Sequence, residues 1–454
     1  MTQQVSLVRQ LGVLSAAALV VSNMVGTGIF TTTGYLAGDL GDPKIVLGIW
    51  IVGAIIAMAG AFCYSELGVN FPSSGGEYVY LTQAYGPAWG FMTGWTSFFA
   101  GFSAPIAANA LAFAKYLGYF FPELGTDAAY FRIGFFTVGP AQLVASSLII
   151  AMTLVNFAEI KVVERLQNGF TVFKVAVLVA LIVLGFTAGQ GNWANLSQTT
   201  ARTSSLPMLQ QFFVSLCFIF ASYSGWNAAT YISGEIKDPQ RNVPRSLIMA
   251  TLIVTVLYVL LNAAFLYSTP VAKLANQVKV GLIAGTEIFG PSGGKIVGAL
   301  VCLGLISAVS AMMWIGPRVT MVMGEDVSLL RFFAHKTKNG VPARALIVQT
   351  LVATFLLFTG TFEKVVLFIQ FSFTLCSFLA VLGVIVLRFT QPGLPRPYRT
   401  WGYPVTPVIF MAITLWMLVF QLIDKPMESL LGLAMMLAGL VIYAFSAMLK
   451  PRPA

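Results

Sequence analysis

The sequence predicts an all-α polytopic membrane protein of twelve transmembrane helices, and three observations predict it. Of its 454 residues, 57% are hydrophobic and only 9% charged, far from the balance of a soluble globular chain. Apolar stretches of ~18 residues or more, enough to cross a hydrocarbon core of ~30 Å, recur along nearly the whole length. The connections between them are short, so the chain reads as one transmembrane domain over residues 1–454 with no separate soluble unit.

Read against Gly, Pro and charged breaks, the spans fall near 12–36, 45–67, 87–119, 139–158, 164–189, 207–234, 245–268, 292–324, 342–360, 364–388, 403–423 and 428–449. The first is read as a retained helix and not a cleaved leader, since only Arg9 precedes it and no small-residue cleavage site follows. Loops on the side of the two termini carry most of the Lys and Arg, among them Lys161, Arg165, Lys237, Arg241, Lys336, Lys338 and Lys450. Basic loops stay inside, so both termini are expected in the cytoplasm of a cell (inner or plasma) membrane. The net charge of +10 is scattered through these loops without a basic stripe, which argues for orientation in the lipid bilayer and against a nucleic-acid partner. Cys63, Cys217, Cys302 and Cys376 all lie in apolar runs; they read as packing residues, with no disulfide framework, metal spacing or cofactor motif.

Two spans are interrupted. Span one carries "SNMVGTGIFTTTG" from Ser22 to Gly34, and span six carries "FASYSGWNAAT" from Phe220 to Thr230. A single glycine-rich stretch would read as close helix packing, and no strand precedes "GTG" to make it a dinucleotide loop. Two breaks about two hundred residues apart fit an inverted five-plus-five repeat. Repeat one covers about 12–189, repeat two about 207–388, and two extra helices about 403–449. Backbone groups freed at such breaks cannot face lipid, where each costs several kcal/mol, so they line a cavity. A half-helix N-terminus there suits an anion and a C-terminal end a cation. Together they suit a zwitterion such as an amino acid.

The breaks, with "YSELG" (Tyr64 to Gly68), "SSGGEYVYL" (Ser73 to Leu81), "RLQNGFTVFK" (Arg165 to Lys174), "YSGWNAATYISGEIKDPQRNVP" (Tyr223 to Pro244) and "GPR" (Gly316 to Arg318), resemble the amino acid–polyamine–organocation (APC) superfamily. The chain is most similar to bacterial-type members of its L-type amino acid transporter (LAT) exchangers. That resemblance implies a LeuT-type fold with discontinuous helices 1 and 6 and alternating access by a secondary transporter. It places the substrate carboxylate on the amides of Gly26, Thr27 and Gly28. The ammonium falls on carbonyls of Met24, Val25, Phe220, Ala221 and Ser222. Asn227 matches a position that supports the unwound segment or contacts substrate, and Asn23 with span three around Ser97 to Ser103 would wall the side-chain pocket. Where related exchangers put an aromatic gate at the start of the second break, this chain has Ala221 and Ser222, which leaves Phe220 or Tyr223 to supply the ring.

Lys174 lies nine residues beyond Arg165, so at ~1.5 Å per residue it is about 13 Å deep, too far for its side chain to reach an interface. A charge there costs about 3 kcal/mol or more unless compensated. The family's sodium-coupled members hold a cation between spans one, five and eight, and the resemblance puts Lys174 in its place. There it would bind carbonyls near Gly26 and the hydroxyls of Ser307 or Ser310, which implies sodium-independent transport. Arg318 is expected to pair with an acid such as Glu235.

An intramembrane enzyme would need a reactive constellation within the spans, and the one histidine, His335, sits in a loop. A channel would need polar groups along a continuous path. Neither break carries a carboxylate or a free basic residue for a charged side chain, so neutral L-amino acids are the expected substrates of an antiporter. A proton- or sodium-coupled symporter is the alternative. The loop from about Phe120 to Val138 has no cysteine, so no disulfide-linked ancillary subunit of the kind seen in eukaryotic relatives is expected.

Overall fold

A computed structural model describes residues 9–448, apart from 126–128, 135, 189–190 and 360–361; the side chains of Pro291 and of 362–369 are likewise outside the description. The terminal residues, Lys450 included, lie beyond it. Each predicted span coincides with helix. Span one is α1 (Val13–Met24) and α2 (Gly28–Leu40), bent by 42° at the three-residue break. Span two is α3 (Pro43–Asn70), started by an N-terminal Pro and by Asp42, whose carboxylate accepts the Lys44 amide at 2.8 Å, the usual way to satisfy an orphan helical N–H. The short helix α4 (Glu77–Tyr85) follows.

Span three is α5 (Pro87–Thr96) and α6 (Ala104–Leu117), joined by a π-helical turn over Ser97–Ser103. A hairpin, β1 (Phe131–Ile133) with β2 (Phe136–Val138), closes the next loop. Spans four and five are α7 (Pro140–Asn156) and α8 (Ile160–Thr187). Span six is α9 (Met208–Tyr223) followed by a 3-10 helix over Ala228–Glu235. Span seven is α10 (Pro239–Ser268). The connection to span eight contains α11 (Val271–Leu274) and α12 (Val280–Phe289), two helices the span reading treated as loop because their apolar runs are too short to cross a bilayer. Span eight is α13 (Gly293–Asp326), and α14 (Ala343–Phe358), α15 (Phe362–Thr390), α16 (Val405–Asp424) and α17 (Pro426–Met448) complete the chain.

Among the described residues nine helices, or ten with the bent α1–α2 pair, are long and apolar enough to cross a membrane. The chain is therefore a multi-pass membrane protein. The fourth and ninth predicted spans are shorter, at 17 and 16 residues. Burial is concentrated in α1, α3, α10 and α13, whereas α16 and α17 leave large apolar side chains such as Leu415, Trp416, Leu430 and Val441 exposed. Apolar exposure of this kind needs a lipid solvent, because water would penalise it by ~25 cal/mol per Å².

Candidate functional site

The two breaks pack against each other. A Cβ added to Gly28 would stand 2.7 Å from Ser222 Oγ and 2.9 Å from Ser222 Cα, and one added to Gly225, at φ +99°, would stand 3.0 Å from the backbone of Asn23. Only glycine permits these approaches. Thr32 and Ser222 hydroxyls bond at 2.8 Å, and the Tyr258 hydroxyl of α10 donates to Met24 O at 2.8 Å and to Ser222 O at 3.2 Å, tying both breaks to one scaffold helix.

Between them lies a cavity of about 230 Å³, a volume suited to a small molecule. Of the predicted binding residues, Asn23, Met24, Gly26, Thr27, Gly28, Ala221, Ser222 and Asn227 line it. Its opposite wall comes from the π-helical turn and the start of α6, through Ala100, Gly101, Phe102 and Asn109. π-helical turns widen a helix locally and frequently mark functional sites. No Asp, Glu, Lys or Arg is among the described residues that line the cavity.

The N-terminus of α2 opens onto this cavity. Thr27 gives it no side-chain cap, so first-turn amides such as those of Gly28 and Ile29 lack an intrahelical acceptor. The Gly26 amide is already used, donating to Met24 O at 3.0 Å. From the other break comes the C-terminus of α9. This helix continues to Tyr223, so Phe220, Ala221 and Ser222 are helical where the sequence placed them in an unwound stretch; the turn begins at Ser224. Ser224, Gly225 and Asn227 line the cavity beyond it, where the Gly225 carbonyl accepts from the Ala228 amide at 3.0 Å and the Asn227 carbonyl from the Thr230 amide at 2.9 Å.

Three predicted binding residues stand away from the cavity lining. The Val25 carbonyl is turned to Lys174 at 2.8 Å, Phe220 packs on Phe410, and the Tyr223 hydroxyl donates to Trp50 O at 3.2 Å. Neither Phe220 nor Tyr223 covers the cavity. The rings that line it are Phe102, Tyr231 and Phe373, the first two meeting edge to face at 5.3 Å. Asn109, Met312, Gln370 and Phe373 were not anticipated, for they lie in unbroken apolar or mixed helices whose periodicity carries no mark of a cavity; nor was Tyr231, which follows the second break in the 3-10 helix.

Lys174 is buried, and its ammonium donates to Ser22 O at 3.1 Å and Val25 O at 2.8 Å. The carbonyls freed where α1 ends thus receive a fixed donor from α8. Ser307 is reached at one remove: its hydroxyl bonds that of Ser22 and accepts from Gln167 Nε2 at 3.3 Å. Ser310 is buried on the same helix and makes no hydrogen bond to Lys174. Met24 O, taken by Tyr258 and the Gly26 amide, and Val25 O, taken by Lys174, are therefore engaged within the protein in this conformation.

Beside the site, Arg318 of α13 forks onto both carboxylate oxygens of Glu235, its Nη2 lying 3.2 Å from Oε2, and it also donates to Trp314 O. Both partners are buried. The predicted pair joins span eight to the end of the broken span six.

The amino acid permease family model matches residues 11–445. The b(0,+)-type amino acid transporter 1 of Mus musculus is 28% identical over 444 residues, 96% of this chain and 88% of its own. The Asc-type amino acid transporter 1 of Mus musculus is 26% identical over 459 residues, 100% and 84% of the two chains. The large neutral amino acids transporter small subunit 2 of Mus musculus is 28% identical over 456 residues, 99% and 83%. A match of this extent, on a chain whose two breaks enclose a small uncharged cavity, leaves one assignment: the chain belongs to the amino acid permease family of the APC superfamily and is an amino acid transporter, not an enzyme.

Proposed function

We propose that this protein exchanges neutral L-amino acids across the cell membrane, without sodium, by alternating access. The observation that carries the reading is the meeting of two opposite helix ends on a cavity without charged side chains. The α2 N-terminus offers unpaired amides to a carboxylate, and the negative end of the α9 dipole favours an ammonium. With both poles of a zwitterion met by backbone, the remaining walls see only its side chain. A charged side chain would enter without a counter-ion, at a cost of several kcal/mol; a neutral one would not.

Sodium independence rests on Lys174. Its ammonium occupies carbonyls of the α1 terminus that would otherwise be free to coordinate a cation. The twelve-span, five-plus-five inverted arrangement with cytoplasmic termini, and a transporter that works without a disulfide-linked subunit, belong to the same reading. Two relatives are named for neutral or Asc-type amino acid transport, which agrees with it.

The test is uptake into proteoliposomes with a panel of twenty amino acids, with and without a sodium gradient and with and without internal substrate. Neutral amino acids should compete, sodium should have no effect, and internal substrate should accelerate uptake severalfold. Uptake that needs a sodium gradient, or that ignores internal substrate, would establish a coupled symporter instead.

A further inference from the structure

Glu77 is a carboxyl one hydrogen bond from the cavity lining, and neither the fold nor the proposed exchange gives it work. It opens α4 and is 0% exposed. Its Oε1 accepts from the Tyr64 hydroxyl of α3, from Asn227 Nδ2 at 3.3 Å and from the Ser377 hydroxyl of α15 at 3.3 Å. Among the described residues its Oε2 is buried with no hydrogen-bond partner. Asn227 lines the cavity and donates also to the Tyr231 hydroxyl at 3.0 Å, so one bond separates Glu77 from the substrate site.

The titratable groups that face it are Tyr64 from α3, Tyr80 from α4, Tyr231 from the 3-10 helix and Cys376 from α15. Among the described residues no Lys, Arg or His pairs with it, in contrast to Glu66, which holds Arg388 at 2.7 Å, and Glu235, which holds Arg318. A buried carboxylate with one oxygen unmatched and no cation beside it is an expensive arrangement. A neutral carboxyl, with the proton on Oε2 and its carbonyl Oε1 still accepting, costs far less. Burial pushes the Glu77 carboxyl up to about 7, against the pull of its hydroxyl and amide donors.

We propose that Glu77 is a proton-binding site that positions Asn227, so that the protonation of this one carboxyl regulates how the transporter holds its amino acid. The bonds to Oε1 are charge-assisted when the group is ionised and roughly half as strong when it is neutral. Loss of the proton therefore tightens Tyr64, Asn227 and Ser377 around Oε1 and fixes the Asn227 amide; gain of the proton loosens it. The proton exchanges with water whenever the movement of α3, α15 and the broken span six admits solvent to Oε2. The regulation rests on the amino acid exchange proposed above, whereas the proton site itself does not.

Two measurements on the purified full-length protein test it. Infrared spectra titrated between about pH 5 and 9 should show a protonated-carboxyl C=O band in the wild type that fades as the pH passes about 7 and is missing from Glu77→Gln. In proteoliposomes, the apparent KM for a transported amino acid should shift about threefold or more across the same range, and Glu77→Gln should flatten that profile. A wild type without the band, or a Glu77→Gln protein that keeps either the band or the pH-dependent KM, overturns the proposal. If no amino acid is exchanged at any pH, the exchange reading fails alone, and the infrared titration still decides whether Glu77 binds the proton.

Discussion

At the residue scale, single atoms decide whether the two breaks can meet. Gly28→Ala would drive a Cβ into Ser222, a contact with backbone and side chain that no rotamer relieves. Uptake should fall at least about tenfold, with a thermal midpoint lowered as for overpacking of ~1–3 kcal/mol. Lys174→Met should be as damaging for a different reason. It leaves the carbonyls of Ser22 and Val25 without the donor that satisfies them, at about 1.5–3 kcal/mol for each charge-assisted bond. Exchange in proteoliposomes should drop by more than about tenfold, and restored activity on adding sodium would show that a free cation can take over the site. Glu77 adds a pH dependence whose sign follows from its upward displacement. Its neutral form is favoured by the fold, so its contribution to stability is full below 4.5, the ordinary value, and is lost as the pH rises through about 7. The thermal midpoint in detergent should fall over that interval in the wild type and fall less in Glu77→Gln.

At the element scale, span six shows how a break is held. Its second half is a 3-10 helix, whose hydrogen bonds are poorer than those of an α-helix, and it is fastened by the Glu235–Arg318 pair and by the bonds from the Gln10 and Leu11 amides to Glu235 O at 2.9 and 3.0 Å. Glu235→Gln would leave the buried guanidinium of Arg318 without its counter-charge. Removing one partner of a buried pair costs about 3–5 kcal/mol, whereas replacing both with apolar residues costs far less. The double replacement Glu235→Leu with Arg318→Met should accordingly recover much of the thermal stability lost in the single variant. A single variant as stable as the wild type would mean that the pair carries no net energy.

At the scale of the whole molecule, Glu66 of α3 gathers Arg388 of α15 at 2.7 Å, and Thr400 through both its amide and its hydroxyl at 2.7 Å. This joins α3 to α15 and to the connection before α16. The proposed topology puts that cluster, and Lys338, on the cytoplasmic side and Thr200 on the opposite one. In a variant whose native cysteines are replaced, Lys338→Cys should be protected from an impermeant thiol reagent added to intact cells, and Thr200→Cys should be labelled. The reverse pattern would invert the assigned orientation.

Much of this was legible in the primary structure. Composition and the length of apolar runs determined a multi-pass α-helical protein, because lipid leaves the backbone no other way to satisfy itself. Gly, Ser, Asn and Thr in mid-span located both breaks, and the isolated charges of Lys174 and Arg318 called for partners, since a lone charge in an apolar span is too costly to persist. The sequence placed Lys174 near the carbonyls about Gly26 and Arg318 on an acid such as Glu235; which carbonyls Lys174 takes, and what else meets at the breaks, was decided by the tertiary structure. Partners such as Ser22 O, Val25 O, Tyr258 or Asn109 sit on helices far apart in the chain, and helical periodicity records which face of a helix is apolar but not which neighbour it meets. Glu77 makes the distinction sharpest: in the sequence it is a loop acid at the start of a short helix, and only the convergence of α3, α15 and the broken span encloses it without a counter-ion.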